Sequence, residues 1–205
     1  MDPTAEVRWF RRGPLPDRVE TWFRSREPRP DREAARVDRY LRPAPHGGLN
    51  VKLRAGRLEI KRRTAAEGER QFVGGAAGLV ERWRKWSFPV RADAETDLLD
   101  AATSADWIAV RKERLLKEYY FQSGSQISEG PSVEGCEAEL TRIEVSGNAW
   151  WTLAFEAFGE ETTLLENLIV AAEEALRAPC PTPLRSGDSR GYASWLARLR
   201  REEGV

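Results

Sequence analysis

Two short runs near residues 50–63 alternate apolar and polar side chains with a period of two. Val51, Leu53, Leu58 and Ile60 fall on one face; Asn50, Lys52, Arg54, Glu59, Lys61 and Arg63 fall on the other. Ala55-Gly56-Arg57 separates the runs, which predicts a β-hairpin with a tight, glycine-containing loop. Taken alone, such a hairpin is an antiparallel ribbon with one face in water. The pattern constrains the fold because it recurs along the chain.

Residues 5–10 read as a first strand, with Glu6, Arg8 and Phe10 opposite Val7 and Trp9. A short helix follows from Asp17, an expected N-cap with Glu20 as its partner three residues on; Val19, Trp22 and Phe23 form its apolar stripe. Residues 34–41 give a strand with Val37 and Leu41 opposite Arg36, Asp38 and Tyr40. Residues 64–78 are polar and glycine-rich and are expected to form a loop excursion. Residues 79–88 are a strand of open parity: either Arg82, Arg84 and Trp86 share a face, or Glu81, Trp83 and Lys85 do. A short helix is expected over 93–102, with Leu98 and Leu99 inward.

Residues 107–120 read as a long strand or a bent strand pair in which Ile108, Val110, Lys112 and Arg114 share parity against Arg111 and Glu113. A Ser/Gly/Pro loop over 123–135 precedes the strand 134–145, where Glu137, Glu139 and Thr141 oppose Cys136, Ala138 and Leu140. After the turn Ser146-Gly147-Asn148 comes a last strand, with Trp151, Leu153 and Phe155 opposite Thr152, Ala154 and Glu156. Residues 162–177 are a helix capped by Thr162 or Thr163, with Leu164, Leu165, Leu168, Ala171, Ala172 and Ala175 as the buried stripe. Pro179 and Pro181 stop it, and a short helix over 192–200 closes the chain.

Composition narrows the classes. The chain has 205 residues, enough for one domain with a real core, and carries 33 basic and 33 acidic residues. That balance argues against nucleic acid and membrane surfaces as partners. Nothing is apolar enough to span a membrane, and Met1-Asp2-Pro3 has no signal-peptide pattern. With only Cys136 and Cys180, free thiols and a cytoplasmic location are expected. The single histidine, His46, lies in a Pro-Gly loop, so any metal would be held by carboxylates.

Some eight strands with one charged face each, together with helices carrying apolar stripes, have two arrangements open to them. The charges face bulk water, or they line the inside of a closed barrel while helices cover its apolar outside. In the second case the interior cannot be dry, because unpaired buried ions cost several kcal/mol. The inward inventory would be Arg8, Arg36, Lys52, Arg54, Lys61, Arg63, Lys112 and Arg114, joined by Arg82 and Arg84 if 79–88 takes the first parity, against Glu6, Asp38, Glu59, Glu137, Glu139 and Glu156. A basic ring suits phosphate oxygens, and carboxylates on neighbouring strands suit Mg²⁺ or Mn²⁺. The expected fold is therefore α+β: one domain over 1–205, an eight-stranded antiparallel barrel with a charged interior, and helices within 162–200 packed on it.

In this order the motifs resemble the CYTH proteins, or triphosphate tunnel metalloenzymes. Glu6-Val7-Arg8 stands in place of that family's Glu-x-Glu-x-Lys strand. Asp38-Arg39-Tyr40 resembles its Asp-x-Tyr strand, and Lys52-Leu53-Arg54 with Glu59-Ile60-Lys61 its basic hairpin. Lys112-Glu113-Arg114 resembles its Lys-x-Arg strand; Glu137, Glu139 and Glu156 its acidic C-terminal strands; and Tyr192, Trp195 and Leu196 its closing helix. The resemblance implies a tunnel that binds triphosphate or a triphosphorylated organic compound, a small-molecule polyphosphate or nucleotide. It also implies hydrolysis of a phosphoanhydride bond with Mg²⁺ or Mn²⁺. On that reading Glu6, Glu137, Glu139 and Glu156 hold metal; Glu137, Glu139 and Lys112 serve catalysis; and the basic residues listed above bind phosphate.

Two positions depart from the family pattern. Arg8 replaces the second glutamate of the first strand, and Ala154 replaces an acidic partner of Glu156. Both changes remove carboxylates from the place a metal would occupy, and the first adds a cation. Three function classes follow: a metal-dependent triphosphatase, a phosphate- or nucleotide-binding protein without turnover, and a β-sheet interaction module using Trp83, Trp86, Trp150 and Trp151. They are separated by whether Lys52, Arg54, Lys61, Arg63, Lys112 and Arg114 converge on one cavity. Gly74-Gly75-Ala76-Ala77-Gly78 lacks the Lys-Ser/Thr of a phosphate loop and reads as linker.

Overall fold

The computed structural model describes residues 2–43, 47–91, 107–122, 125–127 and 132–203. His46 and the helix expected over 93–102 lie outside them. Ten strands are present among the described residues: β1 (Asp2–Arg12), β2 (Asp31–Arg32), β3 (Arg36–Leu41), β4 (Leu49–Arg54), β5 (Arg57–Phe72), β6 (Ala76–Pro89), β7 (Trp107–Gln122), β8 (Ser125–Ile127), β9 (Gly135–Val145) and β10 (Asn148–Phe158). Eight of them close in the order β7-β3-β4-β5-β6-β1-β10-β9, with β9 returning to β7, and every pairing is antiparallel. The short β2 and β8 add to β7 outside that ring. The expected eight-stranded barrel is the observed one.

Local chemistry sets several joints. The β4–β5 turn is two residues long: Ala55 and Gly56 both take positive φ, at 48° and 68°. That conformation matches the twist of the flanking strands. Ser146-Gly147 repeats the device between β9 and β10. The expected loop over 64–78 is instead the end of β5, a single 3₁₀ turn (Val73–Gly75) and the start of β6. Two register shifts, at Arg63/Ala65 and Ala66/Gly68, interrupt the alternation there, so backbone pairing continues where side-chain periodicity fails. Within the expected loop over 123–135, Ser125–Ile127 pairs as β8.

The outward face of β1, β9 and β10 supplies the main core. Val7, Trp9, Cys136, Ala138, Leu140, Leu153 and Phe155 pack beneath α1 (Asp17–Arg24) and α2 (Leu164–Leu176). The buried stripe of α2 is the expected one, with Leu164, Leu168, Ala171 and Ala172 fully covered. Each fully buried leucine contributes about 1.5–3 kcal/mol. The expected caps are not used. Pro16 holds the N-cap position of α1, and Glu20 turns to Arg24 and Arg142 instead. Thr163 holds the N-cap position of α2, as expected, but its hydroxyl donates to Glu134 at 2.7 Å and makes no capping bond.

A second apolar cluster lies on the inward face. Phe10, Tyr40, Ile108, Val110, Ile143 and Val145 pack with Tyr192, Trp195, Leu196 and Leu199 of α3 (Tyr192–Glu203). Trp195 stacks on Phe10 at 4.4 Å between ring centroids, and Tyr192 on Tyr40 at 5.3 Å. The closing helix therefore packs its aromatics onto the apolar part of the barrel's inner face. The charged part of that face remains around a cavity. No helix among the described residues is long and apolar enough to cross a membrane, and Cys136 and Cys180 are free thiols.

Candidate functional site

The alternation that builds each strand delivers the site. Inward positions of all eight barrel strands and Tyr192 of α3 line a cavity of about 340 Å³. Eight cationic side chains reach it: Arg8, Arg36, Lys52, Arg54, Lys61, Lys85, Lys112 and Arg114. Six carboxylates do so as well: Asp2, Glu6, Glu59, Glu137, Glu139 and Glu156. The parity of β6 is settled in favour of Trp83 and Lys85, while Arg82 and Arg84 point away to Glu67 and Glu161. Arg63 is a correction. It shares the sequence period of Lys61 but lies beside the first β5 register shift, pairs with buried Glu81, and lines a separate groove.

Most of the cavity's charge is internally matched. Arg8, 5% exposed, donates from Nε to Glu6 at 3.0 Å and from Nη1 to Glu139 at 2.7 Å. Its partners are shared. Lys61 Nζ reaches Glu6 at 3.2 Å and Glu156 at 2.6 Å, and Arg114 Nη1 reaches the other oxygen of Glu139 at 2.6 Å. Thr141 Oγ1 also donates to Glu139, at 2.7 Å. On the opposite wall Glu59 takes Lys52 at 2.9 Å and Arg54 at 3.7 Å. Pairing of this kind is what allows so many ions to sit behind a wall of strands, because each alone would carry a desolvation penalty of several kcal/mol.

Asp38, fully buried, receives Lys112 Nζ at 2.8 Å, and Lys112 also donates to the Tyr40 hydroxyl at 2.6 Å. The ammonium lies over the Tyr192 ring, 4.0 Å from its centroid. Burial pushes Lys112 down to about 7, against the pull of Asp38. Burial works the other way on Asp38, but Lys112 and Lys52 outweigh it and hold that carboxyl at about 2. For Glu139, burial is outweighed by Arg8 and Arg114, so it stays well below the usual carboxylate range. Glu156 is held at about 2 against burial by Lys61.

Glu137 differs from its neighbours. Burial and the neighbouring carboxylate of Glu156, opposite it on β10, raise it to about 7, and Arg114 offsets this only in part. Glu137 makes no ion pair among the described residues. Lys85 on β6 likewise lines the cavity without an ion pair among the described residues.

These pairings bear on the expected Mg²⁺ or Mn²⁺. Of the four expected ligands, Glu6, Glu139 and Glu156 already hold Arg8, Arg114 and Lys61. The Arg8 guanidinium bridges Glu6 and Glu139, two of the four expected ligands. Among the described residues no group of three or more His, Cys, Asp or Glu side chains is arranged to hold a metal. The donor set therefore does not fit a resident metal. Ala154 is opposite both Arg8 and Glu139, so its small side chain leaves room for that bridge.

Sequence reasoning brought Arg8, Arg36, Lys52, Arg54, Lys61, Lys112, Arg114, Glu6, Glu137, Glu139 and Glu156 to one cavity, and all of them line it. It left out Lys85, Trp83 and Tyr192. The signal for Lys85 was the even spacing of the second parity option for β6; that for Tyr192 was its place at the head of the closing helix. On the separating test, five of the six cations (Lys52, Arg54, Lys61, Lys112 and Arg114) converge on the one cavity and Arg63 does not; of the four tryptophans, Trp83 and Trp151 are buried.

No family model matches the chain, and no curated protein matches it. Among solved structures it is similar to "Structure of PH1819 protein from Pyrococcus Horikoshii OT3", with 12% identity, coverage of 96% of this chain and 99% of that one, and a TM-score of 0.48. A likeness that loose assigns neither family nor activity.

Proposed function

We propose that the barrel cavity binds an oligophosphate: inorganic triphosphate or the triphosphate tail of a small organic compound. One observation carries the reading. Eight cationic side chains from six strands converge on one cavity, in a chain whose formal net charge is zero. Lys52, Arg54 and Lys85 gather on one wall against Glu59, and Lys85 makes no ion pair among the described residues, so this wall offers donors to phosphate oxygens. Protein cations that are already paired can exchange a carboxylate for a phosphate without leaving an ion bare.

The second reading is phosphoanhydride hydrolysis, and Glu137 favours it. A cavity-facing carboxyl near 7 is suited to take a proton from an attacking water. Arg8, Lys61 and Arg114 would supply the positive charge that a metal supplies elsewhere.

Calorimetric titration with sodium tripolyphosphate tests the first reading. Binding is expected, weakened roughly tenfold or more by Lys52→Ala or Lys85→Ala, as loss of a charge-assisted hydrogen bond would give. No binding, or binding that neither substitution changes, overturns it. Phosphate release in the same samples, with and without Mg²⁺ or Mn²⁺, tests the second. Release that survives Glu137→Gln undiminished removes Glu137 from the role of base.

A further inference from the structure

Outside the barrel, where β7 meets the end of α1, a small cluster of donors is buried. Lys117 and Tyr119 are same-face neighbours on β7, about 7 Å apart along the strand, on the side that Leu115 and Phe121 also bury. They are 3% and 2% exposed. The Lys117 ammonium donates to the Arg26 carbonyl at 2.7 Å, just beyond α1, and stands 4.9 Å from the Phe23 ring centroid. Among the described residues neither Lys117 nor Arg26 makes an ion pair. The buried Tyr119 hydroxyl and the buried Arg26 Nε have no hydrogen-bond partner among them either. The charge of Arg26 bears on both Lys117 and Tyr119, which places the three groups around one spot. The acids nearby are engaged elsewhere: Glu27 pairs with Arg29 at 3.2 Å, and Glu174 of α2 with Arg177.

We infer that this cluster binds one small, weakly hydrated monovalent anion of the halide class, held by Lys117, Arg26 and the Tyr119 hydroxyl. A buried donor without an acceptor is costly, and a buried cation without a counter-ion more so. An ammonium has three protons and the Arg26 carbonyl takes one, so Lys117 keeps donors for a further acceptor. A single anion answers all three groups at once. Water would supply an acceptor but no charge, and would leave two cations repelling each other. Burial selects the kind of anion. A halide gives up its hydration shell at less cost than phosphate does, and asks for fewer donors in return. Burial pushes Lys117 down to about 8, with Glu27 opposing and Arg26 adding to the effect; near neutral pH the ammonium is still mostly protonated and able to hold the ion. Arg26 is half-buried and gives the ion its way in. Bound there, the anion ties the end of α1 to the barrel wall.

The test is thermal unfolding in halide-free buffer, titrated with sodium bromide beside sodium fluoride at matched ionic strength, together with anomalous diffraction from crystals grown in bromide. Bromide is expected to raise the melting temperature along a saturating curve, as a ligand of the folded state does. Fluoride, the more strongly hydrated ion, is expected not to. Tyr119→Phe keeps the ring in the core and removes one hydroxyl; it should shift the bromide midpoint roughly tenfold higher. Lys117→Met should abolish the response, and Lys52→Ala in the barrel cavity should leave it unchanged. An anomalous peak is expected between Lys117 and Tyr119. Should Lys117→Met fail to fold, Tyr119→Phe and the anomalous peak decide alone. The inference is overturned if bromide and fluoride act alike, if Lys117→Met or Tyr119→Phe responds as the native protein does, if Lys52→Ala abolishes the response, or if no peak lies beside Lys117.

Discussion

Replacing Arg8 with methionine tests the claim that a guanidinium occupies the place of a metal. Methionine keeps the length and apolar character of the stem and removes only the charge and its donors. The side chains of Arg8, Glu6 and Glu139 are 5%, 7% and 10% exposed, so solvent screens the loss little. Breaking a buried pair by deleting one partner costs about 3–5 kcal/mol when the other ion is left bare. Neither acid is bare here: Glu6 keeps Lys61 at 3.2 Å, and Glu139 keeps Arg114 at 2.6 Å and Thr141 at 2.7 Å. The expected loss therefore sits at the low end, about 3 kcal/mol. For a chain of 205 residues, at about 2–4 °C per kcal/mol, the melting temperature falls by ~6–12 °C. Thermal and urea unfolding measure it. The second half of the experiment repeats the melts with millimolar Mn²⁺ or Mg²⁺. The variant, with two carboxylates freed of their cation, should regain stability with metal while the native protein does not respond. A variant as stable as the native chain would refute the energetic reasoning. A native protein that Mn²⁺ stabilises as much as the variant would refute the idea that Arg8 excludes the metal.

Three further outcomes follow from the same geometry. Glu137 has its folded value raised to about 7 from an ordinary 4.5, so the unfolded chain releases its proton first and stability is lost as pH rises from about 4.5 to 7; Glu137→Gln should match the native protein in urea unfolding near pH 4.5 and exceed it at pH 8. Gly78→Ala would place a Cβ 2.6 Å from Val7 Cγ2 and 2.7 Å from Trp9 Cζ2, both in the fully buried core, and should cost about 1–3 kcal/mol in the same assay. Leu168→Ala, at a fully buried position of α2 over the barrel wall, should cost about 2–5 kcal/mol.

The barrel was legible because its rule is repeated. A period of two with charge on one face, seen once at Lys52 and Arg54, is an exposed hairpin; seen on Glu6 and Arg8, Lys112 and Arg114, and Glu137 and Glu139 as well, it needs an interior. The helix stripe Leu164, Leu168, Ala171 and Ala172 then says which face is covered. Legibility failed where the rule is broken by backbone. The register shifts in β5 hid a strand in a polar stretch and turned Arg63 toward Glu81. It failed also on β6, where charged residues occupy both parities and only pairing with β1, Glu6 against Glu81, decides between them.

Which ion answers which is a different kind of fact, and it bears most on function. In sequence, Arg8 reads as a charge that would repel a metal from Glu6 and Glu139. In the barrel it is bonded to both, across 131 positions of chain in the case of Glu139, and the repulsion becomes the bond that holds the site together. Arg8 on β1 supplies the counter-ion for the carboxylate on β9, and Ala154 on the strand between leaves room for that reach. Two residues that look independent along the chain are thus one arrangement in space. On the proposed reading the cavity's cations come from protein rather than from metal, so tripolyphosphate binding is expected to persist in chelator. Tripolyphosphate titration in EDTA measures that directly, and binding that vanishes with the metal would undo the argument.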